Sequence, residues 1–142
     1  MLVSTKGRYA LRIMLDLAQY QGDSYVPMKE VASRQGLSLK YIEKIMPQLS
    51  KNGFVDGVHG KGGGYRLSRP LDEYRVGDIL RLAEGDLAPV ACLECSAEPC
   101  ERSDSCMTRP MWQQLYTLVN DYFDGITLAD LAKNGSAASA QL

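Results

Sequence analysis

The sequence predicts a mainly α-helical protein, in which two short helices and a small β-hairpin are followed by a long C-terminal helix. Three observations support this fold class. Apolar residues recur at helical spacing in several segments. One stretch alternates like paired strands around a run of glycines. The length of 142 residues and the 45% hydrophobic content suit one packed domain with an appended helix.

The first helix is predicted within TKGRYALRIMLDLAQY, with Ser4 or Thr5 as its cap. Its apolar positions have the i, i+3, i+4, i+7, i+8 spacing of one helix face: Ala10, Ile13, Met14, Leu17 and Ala18. Gly22 and Pro27 then break the helix.

Two short helices follow, separated by a glycine turn. MKEVASRQG predicts a helix that ends at Gly36, and the next helix begins after Ser38 as N-cap. We expect Pro47 to bend or break this second helix, because proline has no N–H for the carbonyl of Glu43. Two short helices joined in this way form a helix-turn-helix.

The segment FVDGVHGKGGGYRLSRP predicts a hairpin behind the helix-turn-helix, which makes a wing. Another helix is predicted from Tyr74 to Gly85. A long helix with one apolar side is predicted over MWQQLYTLVNDYFDG. Thr127 and Asp130 suggest a partial capping box for a last helical turn. The predicted organisation is a winged helix-turn-helix domain at 1–85, a cysteine-rich loop at 86–108, a long helix with a C-terminal turn at 109–133, and a disordered tail at 134–142.

Charge divides the chain in two. Residues 1–81 contain 13 lysines and arginines against 8 acidic residues, a net of +5, whereas residues 82–142 have a net of −6. A basic front half suits double-stranded DNA as a partner. No segment has the apolar length of a membrane span, and the N-terminus lacks a signal-peptide core, so the sequence favours the cytoplasm.

The candidate DNA contacts are polar residues on the second helix of the pair and on the wing. They are Lys40, Tyr41, Glu43 and Lys44 on the helix, and His59, Lys61 and Arg66 on the wing. The glycines at 60 and 62–64 would let the wing backbone lie close to phosphates. Helix pairs also occur in proteins that never touch DNA, and GKGGG lacks the order and following helix of a nucleotide-binding loop.

All four cysteines lie within CLECSAEPCERSDSC, at Cys92, Cys95, Cys100 and Cys106. Four sulfurs suffice for zinc or an iron-sulfur cluster, and the wide gaps after the first pair favour the larger cluster. Reversible disulfides, an unliganded thiol sensor and a structural zinc site are the alternatives. An enzyme is poorly supported, since the only histidine is in the wing and no nucleophile and base pair stands out.

Four segments together resemble the Rrf-type winged-helix transcription regulators, most closely the iron-sulfur cluster regulator (IscR) branch. They are STKGRYALRIMLDLA, SLKYIEKIMPQLSKNGFV, HGKGGGYRLSRP and VGDILRLAEG, and the likeness extends over about residues 1–133. The resemblance implies a cluster, typically 2Fe-2S rather than 4Fe-4S, held by three cysteines before a dimerisation helix. The context CMTRPMW makes Cys106 the last of these, with Cys100 and Cys92 before it.

The chain departs from this family pattern at one ligand position. The best-known members have a histidine three residues after the last cysteine, where this chain has Arg109. Arginine stays protonated and cannot bind iron. Cys95 is the expected substitute, and an oxygen ligand from elsewhere is the alternative.

The resemblance also implies a homodimer, formed through the helix with Trp112, Leu115, Leu118 and Tyr122, on a two-fold related operator. Ser38, Lys40, Tyr41, Glu43 and His59 fall at or beside DNA-contacting positions of the family. The expected function is a cluster-sensing regulator, a repressor of cluster biogenesis genes. A CymR-like thiol or cysteine regulator and an NsrR-like nitric oxide sensor are the alternatives.

Overall fold

The computed structural model describes residues 3–140 of the chain, with side chains up to residue 134. It confirms a mainly helical fold with a two-stranded wing. The elements in chain order are α1 (Thr5–Tyr20), α2 (Met28–Gln35), α3 (Leu39–Lys51), β1 (Val55–Val58), β2 (Gly64–Leu67), α4 (Val76–Glu84), α5 (Arg109–Asp124) and α6 (Leu128–Ala140). Single 3₁₀ turns lie at Leu71–Glu73 and Ala91–Leu93.

The predicted helix boundaries are confirmed where the chain has a specific capping residue. The Ser4 hydroxyl accepts the N–H of Lys6, and the Ser38 hydroxyl accepts the N–H of Tyr41 at 3.1 Å. Gly36 ends α2 in the left-handed conformation, with φ at 65°. Thr127 and Asp130 form a full reciprocal capping box at the start of α6.

The main core surrounds α1. Ile13, Met14 and Leu17 are fully buried on its inner face. They share one cluster with side chains of α3 and α4, including Ile42, Met46, Leu49 and Ile79. Each fully buried aliphatic side chain of this kind stabilises the fold by roughly 1.5 to 3 kcal/mol. The helix-turn-helix is therefore fixed on α1 through the buried face of α3.

Pro47 does not break α3, so the break that the sequence suggested as one outcome is wrong. The helix continues from Leu39 to Lys51 with the proline inside it. Pro47 itself is exposed, and Ile45, Met46 and Leu49 around it are buried in the core. Proline leaves the Glu43 carbonyl without its helical N–H partner, but on the exposed side of the helix this carbonyl can bind water. The loss of one helical hydrogen bond is therefore smaller than the stabilisation from packing of the apolar face.

The wing is an antiparallel hairpin that two contacts tie to the domain. β1 pairs with β2 in the register Val55 to Leu67. Val26 adds a bridge on the other side of β2, through two backbone hydrogen bonds with Tyr65 of 2.8 and 3.0 Å. At the base of the wing, the buried Tyr74 hydroxyl donates to the carbonyl of Phe54 at 2.6 Å and accepts the N–H of Ser68 at 2.9 Å.

A second, smaller cluster joins α4 to the C-terminal helices. Val76, Leu80 and Leu87 are buried there against half-buried side chains that include Val119 and Phe123 of α5. Next, α6 continues to Ala140, over most of the segment for which the sequence predicts a disordered tail, 134–142. Residues 141 and 142 lie outside the described part of the chain.

Candidate functional site

The outer face of α3 places the predicted recognition residues on the surface. Lys40, Glu43 and Lys44 are exposed, since the opposite side of the helix is in the core. Tyr41 is only half-buried, with its ring packed edge-on against Tyr9 of α1 at 5.4 Å between centroids. Ser38 is exposed, and its hydroxyl also caps the helix. The start of α3 is therefore both fixed and accessible.

The three basic wing residues that were predicted to contact DNA have different environments in the structure. His59 and Lys61 are exposed at the tip. Arg66 is instead half-buried on β2, and its guanidinium stacks 4.6 Å from the ring centroid of Tyr25. Arg66 thus has a structural partner within the protein, whereas the tip residues have freedom to approach a phosphate.

Two wing glycines are required by the protein's own backbone, since a side chain at Gly63 would overlap the carbonyl oxygen of Val58. A side chain at Gly64 would overlap the carbonyl oxygen of Val26, the residue that bridges to Tyr65. Gly62 differs, because its left-handed φ of 78° is combined with open space around it. From the sequence alone, Gly62 and Gly64 were both expected to allow a close approach of DNA.

Gly64→Ala is therefore expected to cost more stability than Gly62→Ala. The first substitution forces β2 away from Val26 and should lower the free energy of unfolding by about 3 kcal/mol. The second adds only left-handed backbone strain, about 1 kcal/mol. Urea unfolding of the two variants measures the difference, and equal losses would contradict the close contact at Gly64.

Three of the four cysteines line one cavity beside the start of α5. Cys92, Cys100 and Cys106 surround a volume of about 130 Å³. The other lining residues are Val90, Ser103, Thr108, Arg109 and Trp112. Within residues 3–134, no three cysteine, histidine or carboxylate side chains are gathered closely enough to grip a single metal ion. Thiols placed around one cavity are suited to holding a thiophilic metal group.

Cys106 has the environment of a thiolate. Its sulfur lies 3.4 Å from the hydroxyl of Thr108, the residue directly before α5. The pKa of Cys106 is lowered by its hydrogen bond with Thr108, and further by the backbone N–H groups of Thr108 and Arg109. A lowered pKa favours the form of cysteine that binds metal.

Cys95 does not line this cavity. Its backbone N–H donates to the Asp86 carboxylate at 2.7 Å, and Asp86 also accepts the Tyr116 hydroxyl of α5 at 3.0 Å. The structure therefore separates Cys95 from the other three candidate ligands. Asp86 and Tyr116 were missed by the sequence analysis, since the polar contact between them spans 30 residues.

The apolar residues of α5 divide between two faces. Val119 and Phe123 pack on the protein's own second cluster, and Trp112 lines the cysteine cavity. A row of large apolar side chains stays exposed at i, i+4, i+7 and i+11: Met111, Leu115, Leu118 and Tyr122. Trp112 was expected in this row from the sequence, and Met111 was not. Such a row on one helix face is typical of a protein contact surface.

The fold and the site together define a winged helix-turn-helix transcription regulator, and the comparisons with known proteins give its family. Residues 3–134 match the family model Rrf2, described as an iron-dependent transcriptional regulator. The chain belongs to the Rrf2 family. It is thus a DNA-binding regulator and not an enzyme. Within residues 3–140, no helix has the length and apolar character needed to cross a membrane.

The relatives include two named kinds of regulator, IscR and CymR. The chain is 37% identical to the HTH-type transcriptional regulator IscR of Sodalis glossinidius, over 94% of this chain and 80% of the relative. The structure of T. potens IscR superposes with a TM-score of 0.77 at 37% identity, covering 97% of this chain and 90% of that one. The structure of CymR, the global cysteine regulator of B. subtilis, gives 0.75 at 36% identity, covering 94% and 98%.

Proposed function

We propose that this protein is a homodimeric regulator whose operator affinity depends on an iron-sulfur cluster, of the 2Fe-2S type, held by Cys92, Cys100 and Cys106. One observation carries the proposal: these three thiols line a single cavity. The similarity to IscR proteins supports it. We further propose that the chain represses genes for cluster biogenesis, so that cluster supply controls its own production.

The cavity has the chemistry that such a cluster needs. Cysteine thiolates are the usual ligands of iron-sulfur clusters, and their number and surroundings set the reduction potential. When bound, the cluster supplies a redox-sensitive and oxidant-sensitive centre. Arg109 lines the same cavity and cannot bind iron, so its positive charge would instead offset the negative charge of the thiolates. Since Cys95 lies outside, we propose an oxygen donor as the fourth ligand.

The exposed row on α5 is proposed as the dimer surface. In a two-fold symmetric dimer, the same patch of both chains forms the interface. This row could therefore pack against its copy on the second chain, through Met111, Leu115, Leu118 and Tyr122. Such a dimer presents two recognition helices to a two-fold related DNA site. Regulation then needs only that the cluster favours one relative arrangement of the two DNA-binding domains.

Contacts within one chain connect α5 to the recognition helix. Arg81 of α4 donates to Asn120 of α5 at 2.7 Å and pairs with Asp124 at 2.5 Å. At the next residue of α4, the Leu82 carbonyl accepts a hydrogen bond from the Gln48 amide of α3 at 2.8 Å. A shift of α5 would therefore be transmitted through α4 to α3 by direct polar contacts.

Anaerobic reconstitution with iron and sulfide tests the proposed function. We expect a coloured protein with about two irons and two sulfides per chain. Its affinity for an operator should differ from that of the metal-free protein, as measured by fluorescence anisotropy at fixed salt. A protein that stays colourless after reconstitution would overturn the proposal.

Lys61→Ala tests the wing contact with DNA. If the exposed Lys61 lies on a phosphate, its loss should weaken binding by about tenfold, equally for all sequences. The slope of log affinity against log salt should fall by about 0.9 for each subunit. Lys133→Ala is the matched control, since it removes the same charge from α6. Equal effects of the two variants would exclude a specific contact at the wing.

The likeness to CymR favours a thiol-based regulator as the second candidate. Its specific support is the similar structure and the four cysteines, all of which are free thiols in the described chain. In that case peroxide would change the DNA affinity of metal-free protein. A peroxide response that disappears on removal of the thiols and needs no iron would favour this candidate over the cluster.

A further inference from the structure

We infer that Asp86 is the positioning residue of the cysteine loop: it fixes the turn at Cys95 against α5 and so keeps that thiol outside the three-cysteine cavity. The inference rests on the proposed cluster for its functional part, and on contacts within the chain for its structural part. If the inference holds, Asp86 controls the rate at which the cluster is lost from the protein. It also controls the protein environment around the cluster.

The Asp86 carboxylate accepts hydrogen bonds from three different parts of the chain. One oxygen accepts the N–H of Ala88 at 2.9 Å and the Tyr116 hydroxyl at 3.0 Å. The other accepts the N–H of Cys95 at 2.7 Å. A single side chain thus joins the beginning of the loop, its turn at Cys95, and the middle of α5.

The position of Asp86 makes this junction effective. Asp86 follows Gly85, the residue that ends α4, and its neighbour Leu87 is buried in the cluster between α4 and α5. The carboxylate is therefore attached to the DNA-binding domain at a fixed point. The rest of the loop is largely exposed, and Cys92, Cys95 and Cys100 all lie at the surface. An exposed loop needs such an anchor to hold one shape.

The local electrostatics agree with strong contacts at this point. Burial acts to raise the pKa of Asp86, but the hydrogen bonds from Cys95, Tyr116 and Ala88 outweigh it and leave the pKa below its ordinary value. Burial and the same carboxylate raise the pKa of Tyr116 to about 12. The Tyr116 hydroxyl therefore remains protonated, and it can donate at any physiological pH.

Asp86→Asn is the sharpest test, because it keeps the shape and removes one acceptor. The amide has one oxygen and one NH₂ group, so at least one of the three donors must face another donor. In metal-free protein, we expect hydrogen exchange of residues 93–97 to accelerate about tenfold, and alkylation of Cys95 to accelerate relative to Cys92. Tyr116→Phe, which removes a single donor, should give a smaller change in the same direction.

Reconstituted protein tests the functional part. In Asp86→Asn, release of iron to a chelator should be several-fold faster, and the visible circular dichroism of the cluster should change. A purely structural defect elsewhere would not alter that spectrum. Asp104→Asn is the matched control: Asp104 is an exposed aspartate of the same loop. This control should behave like the wild type in every measurement.

Two outcomes would overturn the inference. The first is equal exchange of residues 93–97 in Asp86→Asn and wild type, which decides the matter whether or not iron is bound. The second is an unchanged cluster spectrum and release rate in a variant whose loop exchanges faster. A wild-type protein that takes up no iron would overturn the proposed function instead, and the exchange measurement would still decide whether Asp86 anchors the loop.

Discussion

Cys106→Ala is expected to abolish cluster binding, whereas Cys95→Ala is expected to retain it. Cys106 lines the cavity and has a lowered pKa, because its thiol bonds to Thr108 beside the first turn of α5. Cys95 lies outside the cavity, with its N–H on Asp86. Since a backbone N–H makes that bond, the alanine variant keeps it. Iron and sulfide analysis after anaerobic reconstitution, together with the visible spectrum, measures the difference.

The two variants control for each other, since both remove one accessible thiol from the same loop. Far-ultraviolet circular dichroism should show the same helix content in both. If Cys95→Ala instead loses its cluster and Cys106→Ala keeps it, the ligand set proposed from the cavity is wrong. Loss in both variants would identify Cys95 as the fourth ligand, as the sequence alone suggested. The loop would then have to rearrange around Asp86 when the cluster binds.

The parts of the fold that local chemistry determines could be predicted from the sequence. Ser4, Ser38 and Gly36 begin or end helices because their side chains or backbone conformations satisfy groups within three or four residues. The wing could be predicted for the same reason, since alternation and glycines are local patterns. The interactions that define these elements therefore need no knowledge of the tertiary fold.

Contacts between distant segments could not be predicted in this way. Glu84 is an example: its carboxylate accepts the N–H groups of Ser4 and Gly7 at the start of α1, about 80 residues away. An acidic residue at the end of a helix otherwise suggests nothing more than an exposed position. Pro47 was misjudged for a related reason, because the buried face of α3 offsets a local penalty that the sequence shows clearly.

In the candidate site too, local features could be predicted from the sequence and contacts between distant segments could not. The spacing of the cysteines and the context after Cys106 predicted a binding loop, and the cavity brings three of the four thiols together. The exclusion of Cys95 depends on Asp86 and Tyr116, which meet only when α5 packs beside the end of α4. The two faces of α5 are likewise determined by which side packs on Val76, Leu80 and Leu87.

Arg34→Ala is expected to produce a large loss of stability, because Arg34 neutralises a buried carboxylate of α1. The side chain of Asp16 on α1 is fully buried, and Arg34 of α2 forms an ion pair with it at 2.7 Å. Removing the arginine leaves a buried carboxylate whose remaining donor, among the described residues, is the Gln35 amide at 2.9 Å. We expect a loss of about 3 kcal/mol, or a fall in Tm of about 10 °C. Calorimetry at equal protein concentration measures it.

Glu30→Gln is the matched control, because Glu30 is the exposed second partner of the same arginine, at 3.4 Å. Its loss should cost less than about 0.5 kcal/mol, since exposed ion pairs contribute little. A double-mutant cycle with Asp16→Asn then separates the unpaired charge from lost packing. If the charge is the cause, Asp16→Asn in the Arg34→Ala background should restore stability or leave it unchanged. Additive losses would instead assign the effect to the stacking of Arg34 on Tyr20, 3.9 Å from its ring centroid.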